Sequence, residues 1–318
     1  MKLIRHGDPG RESPGVILND GRLVDASSEF RDFDEGFFAC GGLESLQSWV
    51  DDGCPGGGAV DVDVRRGTPV ARPSKLICVG KNYVDHAKEF GGGVPPEPVL
   101  FMKATTACSG PYDDVVIPAD CKKLDYEVEL AVVIAQTAKH ISEKDAMSHV
   151  AGYTVLCDYS ERDWQKERCG QWVKGKSLDT FAPFGPCLVT TDELPDPHSL
   201  CLWTKVNGDK RQNGWSGNMM FSIPYLVSYI SKYMTLLPGD IIATGTPAGV
   251  GMGMNPPHYL SVGDQVELGI KEVGFVRESS PRLDIQLGAK LMALAHGPVS
   301  GQRWCPLLCL LLQLHSLE

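Results

Sequence analysis

Residues 124–135, LDYEVELAVVIA, are mostly β-branched or aliphatic, and this composition predicts a strand. Two members of the stretch, Glu127 and Glu129, are acidic. In a strand, residues i and i+2 share a face, so the two carboxylates are expected to lie together in a place that is half buried. Close carboxylates repel each other and lose hydration unless a cation or a proton compensates them. A hard divalent metal ion is the simplest compensation.

The same stretch also fits a strand at the edge of a sheet. Val128, Leu130 and Val132 would then face the core, while Glu127 and Glu129 would face water. For an isolated Glu-Val-Glu stretch this second interpretation is the commoner one, because charged side chains are usually solvated. Evidence from other segments of the chain is needed to choose between the metal-binding and the edge-strand interpretations.

Composition narrows the class of protein. The 318 residues carry a formal net charge of −10, which argues against nucleic acid and anionic membrane as principal partners. The eleven cysteines include no C-x-x-C pair, and the first residues show no apolar signal segment. No apolar run reaches the roughly 18 residues of a membrane-spanning helix. We therefore expect an enzyme with reduced thiols in the cytoplasm, with a mitochondrial location left open.

Changes in composition and in the pattern of apolar residues divide the chain into three predicted regions. Residues 1–72 are acidic and rich in glycine and predict a small β-rich module with a hairpin turn at Asn19-Asp20-Gly21. Residues 73–275 have the many short apolar runs of a packed catalytic domain. Residues 276–318 form an atypical tail that is expected to be disordered or to serve in docking.

The middle region is dominated by predicted strands. Only two helices are expected there, one over residues 142–149 and one that starts near Ser222 and stops before Pro238. Asn207-Gly208 predicts another hairpin. Because strands and helices do not alternate, a Rossmann-like or barrel architecture is disfavoured and a mixed, strand-dominated α+β domain is expected.

A third carboxylate, Asp158, ends the apolar run HVAGYTVLCD at residues 149–158. With Glu127 and Glu129 it completes an all-oxygen set suited to Mg²⁺, with Mn²⁺ or Ca²⁺ as substitutes. By itself, Asp158 would more often be the N-cap of a following helix.

His86 and Glu89 are three residues apart and share one helical face. A carboxylate beside an imidazole fixes its tautomer and raises its basicity, as a general base requires. A solvated surface pair is the alternative. Three glycines follow at residues 91–93 and fit either a loop that closes over substrate or a plain surface loop.

Other polar residues are weaker candidates. Lys176 lies among glycines and prolines, where an ammonium group fits a substrate carboxylate, and Lys103 ends an apolar strand. The stretch DIIATGTPAGVGMG at residues 240–253 places Thr244 and Thr246 in a glycine-rich loop. This loop lacks the ending of a phosphate-binding P-loop, so we expect it to bind a small carboxylate rather than a nucleotide.

Taken in order, a set of motifs closely resembles the fumarylacetoacetate hydrolase family over residues 76–274: GKNYVDHAKE, EPVLFMK, DYEVELAVVI, GYTVLCDYSERDWQ, GKSLDTFAPFGP and PGDIIATGTPAGVG. The branch that it resembles most is the 2,4-diketo-3-deoxy-fuconate hydrolase and acylpyruvase-like branch. The resemblance implies a β-rich roll of layered sheets, a mixed β-sandwich with few helices, that is usually dimeric and binds a divalent metal.

The resemblance also implies roles for particular residues. Glu127, Glu129 and Asp158 would be the metal ligands. His86 and Glu89 would form a base dyad on a mobile lid. The residues implied at the bound substrate are Lys176, Lys81, Lys103, Arg162, Gln165 and Thr246.

Two departures from the family pattern stand out. Lys81 occupies a position where acylpyruvase-like members often have arginine, which leaves substrate choice open, because a point charge replaces a bidentate fork. The chain after Phe275 also lacks the short closing strand that the family leads us to expect.

The activity implied is hydrolysis of a carbon–carbon bond in a 2,4-diketo acid, an acylpyruvate or a diketo-deoxy sugar acid, to pyruvate and a second carboxylic acid. Decarboxylation of oxaloacetate, or keto-acid isomerisation or lysis, on the same site is the alternative. A non-catalytic metal-binding module is a second alternative. The expected partners are a small keto acid and a second copy of the chain, with no nucleic acid and no membrane.

Overall fold

The structure is a computed structural model that describes residues 1–89, 91, 93 and 95–280. Strands dominate these residues. They are β1 Lys2–His6, β2 Ser13–Ile17, β3 Leu23–Asp25, β4 Ala59–Val60, β5 Leu76–Gly80, β6 Val99–Lys103, β7 Cys108–Ser109, β8 Leu124–Asp125, β9 Val128–Ile134, β10 Val150–Cys157, β11 Ser160–Glu161, β12 Ala182–Thr190, β13 Cys201–Val206, β14 Asp209–Trp215, β15 Ile241–Ala243, β16 Gln265–Ile270 and β17 Gly274–Ser279. The α-helices are α1 Glu35–Ala39, α2 Gly42–Asp51, α3 Val84–Glu89, α4 Arg162–Lys166, α5 Val173–Lys176 and α6 Ile223–Tyr233. Short 3₁₀-helices span Thr105–Ala107, Ala146–His149, Ser216–Asn218 and Gly251–Gly253.

An eleven-stranded mixed sheet organises the fold, in the order β4-β3-β2-β1-β12-β10-β9-β15-β5-β6, with β7 paired to β12. Strand β9 lies inside this sheet, antiparallel to both β10 and β15. All seven of its residues are buried. The interpretation of this stretch as a solvated edge strand is therefore wrong.

Alternate residues of β9 belong to two different cores. Val128, Leu130 and Val132 pack in the core that also holds apolar residues of α6 and of a second, four-stranded sheet ordered β14-β13-β16-β17. Ala131 and Val133 pack in the core that holds the apolar residues of α1 and α2. By the same alternation, Glu127 and Glu129 lie on the face of Ala131 and Val133. The strand-dominated α+β class predicted from the sequence is thus confirmed.

The two predicted hairpin turns and the predicted start of the helix near Ser222 are present in the structure. Leu18 and Gly21 close the first predicted hairpin, and β13 and β14 meet at Asn207-Gly208, both of which have positive φ. Ser222 caps α6 by accepting a hydrogen bond from the Tyr225 amide.

The prediction of an α-helix over residues 142–149 is wrong. Only the 3₁₀-helix Ala146–His149 forms there. Ser142 bonds the side chain of Asp145 in a local turn, and the chain enters β10 at once at Val150. The sequence also did not predict α4 and α5, which are too short to show a helical period.

Strand β1 belongs to the large sheet. Strand β1 pairs antiparallel with β12, with Lys2 opposite Val189 and Leu3 opposite Leu188. The N-terminal strands therefore extend the large sheet. The boundary between residues 72 and 73 stays a prediction.

A closing strand does exist, contrary to the expectation for the chain after Phe275. Strand β17 pairs with β16 along its whole length, from Gln265 opposite Ser279 to Ile270 opposite Gly274. Its pattern was hidden because one of the inward positions is Glu278, which breaks the apolar alternation. The predicted tail lies outside the described residues from position 281 onward. Across the described part of the chain, no helix is long and apolar enough to cross a membrane.

Candidate metal centre and base dyad

Three buried carboxylates meet at one end of β9 and β10. The antiparallel pairing puts Leu156 opposite Glu129, and the amide of Asp158 donates to the carbonyl of Glu127 at 2.9 Å. Oxygen atoms of Glu127, Glu129 and Asp158 all lie within 4.8 Å of one another. Each of these residues is at most 5% exposed. The site is therefore built by strand pairing, on a rigid sheet.

Three cations surround this cluster. A terminal nitrogen of Arg162 lies 2.7 Å from Oε1 of Glu127. Nζ of Lys176 lies 2.8 Å from Oε2 of Glu127 and 2.6 Å from Oδ2 of Asp158. Nζ of Lys103 lies 2.6 Å from Oδ1 of Asp158. These pairs are buried, where removal of one partner leaves a costly unpaired charge.

Glu127 and Glu129 differ in how much positive charge lies near their carboxylates. Burial raises the pKa of Glu127, but the adjacent guanidinium and ammonium groups outweigh burial and hold that pKa well below its usual range. Burial and the charges of the other two carboxylates raise the pKa of Glu129 well above its usual value. Its oxygen Oε2 accepts a hydrogen bond from the amide of Gly245 at 2.8 Å.

This imbalance, together with the donor set, fits a divalent cation. Three carboxylates supply oxygen ligands, which Mg²⁺, Mn²⁺ and Ca²⁺ prefer. Glu129 has too little positive charge near it, and a cation at the cluster supplies what it lacks. The acidic triad predicted from the sequence is thus a candidate divalent metal site.

The predicted pair of His86 and Glu89 also forms. Helix α3 carries His86 and Glu89 on one face, and Nδ1 of His86 lies 2.9 Å from Oε2 of Glu89. The amide of Gly249 donates to Oε1 of Glu89 at 2.7 Å and fixes the carboxylate from behind. With Nδ1–H bonded to a carboxylate, Nε2 is the basic atom of the neutral ring.

Asp125 is a buried site residue that the sequence reasoning missed. It accepts hydrogen bonds from the amides of Gly251 at 2.6 Å and Met252 at 3.0 Å, and from Nε of Arg162 at 2.9 Å. Besides Glu129, the glycine-rich loop therefore binds two further carboxylates: Glu89, which orients His86, and Asp125, which orients Arg162. One signal was available, since Asp125 lies two residues before Glu127 in the same acidic stretch.

The glycine-rich loop does not form the predicted anion nest for a substrate. The hydroxyl of Thr244 donates to the carbonyl of Leu130 at 2.7 Å, and the hydroxyl of Thr246 donates to the carbonyl of Val128 at 2.8 Å. Four amides of the loop, those of Gly245, Gly249, Gly251 and Met252, donate to Glu129, Glu89 and Asp125. The loop thus holds the protein's own carboxylates.

A single pocket gathers most of the predicted residues. The predicted residues that line it are Lys81, His86, Glu127, Glu129, Asp158, Arg162, Gln165, Lys176 and Thr246. Lys103 is placed differently from the prediction: it is fully buried and bonds Asp158 and the carbonyl of Tyr159 rather than lining the pocket. The lining residues that the sequence reasoning missed are Val79, Gly80, Phe101, Lys166, Trp172 and Met252. Of the predicted lid glycines, Gly92 lies outside the described residues.

Comparisons with known proteins agree with this site. The family model described as fumarylacetoacetate (FAA) hydrolase C-terminal matches residues 75–279. A protein of Burkholderia multivorans, named only as a hydrolase, is 48% identical over 275 residues, which are 86% of this chain and 96% of that protein.

Two solved structures extend the comparison. Maleylpyruvate hydrolase from Sphingobium sp. SYK-6, in complex with manganese(II) and pyruvate, has a TM-score of 0.75 at 29% identity, covering 89% of this chain and 100% of that one. The 5-carboxymethyl-2-hydroxymuconate delta-isomerase from Mycobacterium smegmatis has a TM-score of 0.71 at 35% identity, with the same coverage. The chain is an enzyme of hydrolase or isomerase type, and it belongs to the fumarylacetoacetate hydrolase family.

Proposed function

We propose that this chain is a metal-dependent hydrolase that cleaves a carbon–carbon bond in a 2,4-diketo acid and releases pyruvate and a second carboxylic acid. One observation carries the proposal: the carboxylate triad and the His86 imidazole line the same pocket. A metal site alone would serve several reactions of keto acids. A base beside it, oriented by Glu89, is the part that hydrolysis requires.

Glu127, Glu129 and Asp158 would hold the cation, Mg²⁺ by preference with Mn²⁺ or Ca²⁺ as substitutes. When bound, the cation supplies Lewis-acid polarisation and a template for a 2-oxo acid. That maleylpyruvate hydrolase was solved with manganese(II) and pyruvate supports this assignment.

The base is His86. Its Nε2 accepts a proton from a water molecule while the oxygen of that water attacks the 4-carbonyl carbon of the substrate. Glu89 holds the imidazole in position and stabilises the imidazolium that results. The bond between C3 and C4 then breaks, its electron pair stays with the pyruvate unit as an enolate, and protonation at C3 gives pyruvate.

Two buried cations would stabilise the negative charge that develops in this reaction. Lys176 and Arg162 both line the pocket and are already ordered by carboxylates, so they need no reorganisation during the reaction. Burial lowers the pKa of Lys176, but Asp158 and Glu127 outweigh burial and raise it, so the ammonium stays charged.

The test compares two variants with the wild-type protein. His86→Ala is expected to abolish turnover of an acylpyruvate while Mn²⁺ binding, measured by calorimetry, is unchanged. Glu89→Gln keeps the imidazole but weakens its support, so we expect an intermediate loss of about ten- to a hundredfold. Retained turnover in His86→Ala would refute the assignment of the base.

The structural similarity to an isomerase supports one alternative reaction on the same site. Isomerisation, like decarboxylation of oxaloacetate, consumes no activated water. Turnover in H₂¹⁸O therefore separates the reactions, since only hydrolysis places ¹⁸O in the released acid. Lack of incorporation alongside turnover would favour the alternative.

The expected homodimer and the cytoplasmic location remain proposals. Light scattering of the purified chain, with and without Mn²⁺, measures whether its mass in solution is that of one copy or two.

A further inference from the structure

Gln212 is a fully buried residue of β14 with no part in the proposed reaction. Its Oε1 accepts hydrogen bonds from the amide of Val128 at 3.1 Å and from the hydroxyl of Thr204 at 2.8 Å. Its Nε2 donates to the hydroxyl oxygen of Thr246 and to the carbonyl of Pro247, both at 2.8 Å. The side chain has only one suitable orientation, because exchange of its oxygen and nitrogen would set an N–H group against the amide of Val128.

Val128 lies where the pairing of β9 with β15 has ended. Strand β15 ends at Ala243, which is opposite Ala131, so it does not reach Val128. The carbonyl of Val128 instead accepts from the hydroxyl of Thr246 at 2.8 Å, and its amide donates to Gln212. Buried backbone groups need such partners. Two side chains therefore take the place of a neighbouring strand at this point of β9.

This point of β9 is the middle of the candidate metal centre. Val128 separates Glu127 from Glu129, whose buried carboxylates repel each other and the carboxylate of Asp158. A rotation of the chain at Val128 would move the two glutamates apart and relieve this repulsion. Hydrogen bonds to both the amide and the carbonyl of Val128 oppose that rotation.

Strand β14 also packs closely on the glycine-rich loop. A Cβ atom at Gly214 would lie 2.2 Å from Cβ of Pro247, and one at Gly249 would lie 2.2 Å from the carbonyl oxygen of Arg211. Such close approach of two backbones requires glycine. The amide of Gly249 is the one that donates to Glu89. The strand that carries the buried amide thus supports both the metal-binding strand and the loop.

We propose that Gln212 is a positioning residue of the metal centre. By holding Val128 and Thr246, it keeps the carboxylates of Glu127 and Glu129 at the spacing that binds a divalent cation. It is not among the residues that line the pocket, so it acts through its hydrogen-bond partners. This inference rests on the metal site of the proposed function and not on the reaction proposed there.

The affinity of the full chain for Mn²⁺, measured by calorimetry, tests the proposal without turnover. Gln212→Met keeps the length of the side chain but removes its amide. We expect Mn²⁺ to bind this variant about ten- to a hundredfold more weakly than wild type. Both proteins are measured at a temperature at which circular dichroism shows them folded, so that the affinity reports on the site and not on unfolding.

Ser231→Ala is the matched control for loss of a buried polar group. Ser231 is fully buried, and its hydroxyl donates to the carbonyl of Ser228 at 2.7 Å and accepts from the amide of Ile141 at 3.2 Å. Neither partner lines the pocket. This variant should be less stable than wild type and should keep the wild-type affinity for Mn²⁺.

A milder pair of variants decides the case in which Gln212→Met does not fold. Thr204→Val removes one of the two donors that orient the amide of Gln212 but keeps the shape of the side chain. We expect it to bind Mn²⁺ about three- to tenfold more weakly than wild type. Thr204→Ser restores the hydroxyl and should restore the affinity.

The proposal would be overturned by wild-type affinity for Mn²⁺ in Gln212→Met, or by an equal loss of affinity in Ser231→Ala. Equal affinities of Thr204→Val and Thr204→Ser would overturn it too. If wild type does not bind Mn²⁺, the metal assignment fails and the positioning role fails with it. If Mn²⁺ binds, weakens in the variants as expected, and no acylpyruvate is turned over, the role of Gln212 stands and only the proposed reaction fails.

Discussion

Two regions of this molecule bury carboxylates, and they treat them in opposite ways. At the candidate metal centre, Glu127 and Asp158 contact cations at 2.6 to 2.8 Å. In β17, Glu278 is 2% exposed and accepts one hydrogen bond from the hydroxyl of Tyr159, at 2.6 Å. Its other oxygen has no hydrogen-bond partner among the described residues.

The comparison shows that the negative charge of a buried carboxylate is compensated differently at the metal centre and at Glu278. At the centre, permanent positive charges keep Glu127 ionised and ready to bind a cation. At Glu278, burial raises the pKa well above its usual value, which favours the protonated form of the acid. A low pKa suits Glu127 to metal binding, whereas Glu278 contributes packing and one hydrogen bond. Four substitutions test this contrast.

The largest effect is expected for Lys176→Met, which removes the ammonium group between Glu127 and Asp158. The metal-free protein should lose about 3–5 kcal/mol of unfolding free energy, because two buried charges lose their partner. Turnover should fall at least about a hundredfold. Urea unfolding in chelator measures the first effect, and the exposed Lys174→Met is the control, with a change within about 0.5 kcal/mol. Equal stability of Lys176→Met and wild type would contradict the buried-charge argument.

Asp125→Asn tests the carboxylate that orients Arg162. The variant keeps the shape of the side chain but loses the charge facing a buried guanidinium, at an expected cost of about 3 kcal/mol. The control is Asp163→Asn, whose partner Arg168 is 48% exposed and whose loss should cost less than about 1 kcal/mol. Similar unfolding free energies for the two variants would show that Asp125 is not a buried ionic anchor.

Glu129→Gln should separate metal binding from folding. In chelator, the variant is expected to be as stable as wild type or more stable, because one of three close negative charges is gone. With Mn²⁺ at about 100 times its dissociation constant, wild type should gain about 2.7 kcal/mol, and the variant should lose most of that gain. Thermal unfolding with and without Mn²⁺ measures both quantities. An unchanged metal-induced gain would remove Glu129 from the ligand set.

Glu278→Gln should have the smallest effect near pH 4.5, and its effect should grow as pH rises. Since its pKa is raised in the folded state, the folded chain holds this proton more tightly than the unfolded chain does. The resulting stability is present below the ordinary glutamate pKa of 4.5 and is lost as pH rises through the folded value. Its contribution to the slope approaches about 1.4 kcal/mol per pH unit in that window.

In the glutamine variant this contribution disappears, because the amide is neutral at every pH and can still accept from Tyr159. Unfolding free energies of wild type and variant, measured at several pH values above 4.5, should therefore diverge as pH rises, with the variant the more stable. Parallel curves would mean that Glu278 is ionised in the folded chain.

Much of the site was accessible to prediction because its parts are local. The Glu127 and Glu129 pair follows from strand periodicity, and the His86 and Glu89 dyad follows from helical spacing. The closing strand was missed for the reason that Glu278 violates the same periodicity. Local patterns therefore found the ligands and the base, and failed where a buried polar residue interrupts the pattern.

By itself, the sequence determined which carboxylates share a face and which imidazole has an acidic neighbour, since both depend on spacings of two or three residues. Only the tertiary structure decided what compensates them. Lys176 reaches Glu127 across 49 positions, Lys103 reaches Asp158 across 55, and the amide of Gly251 reaches Asp125 across 126. Periodicity records the faces of single elements. The paths of the chain that bring these distant cations and amides, and the rings of Phe101 and Trp172, to one site leave no such record, because they are set by packing of the whole chain.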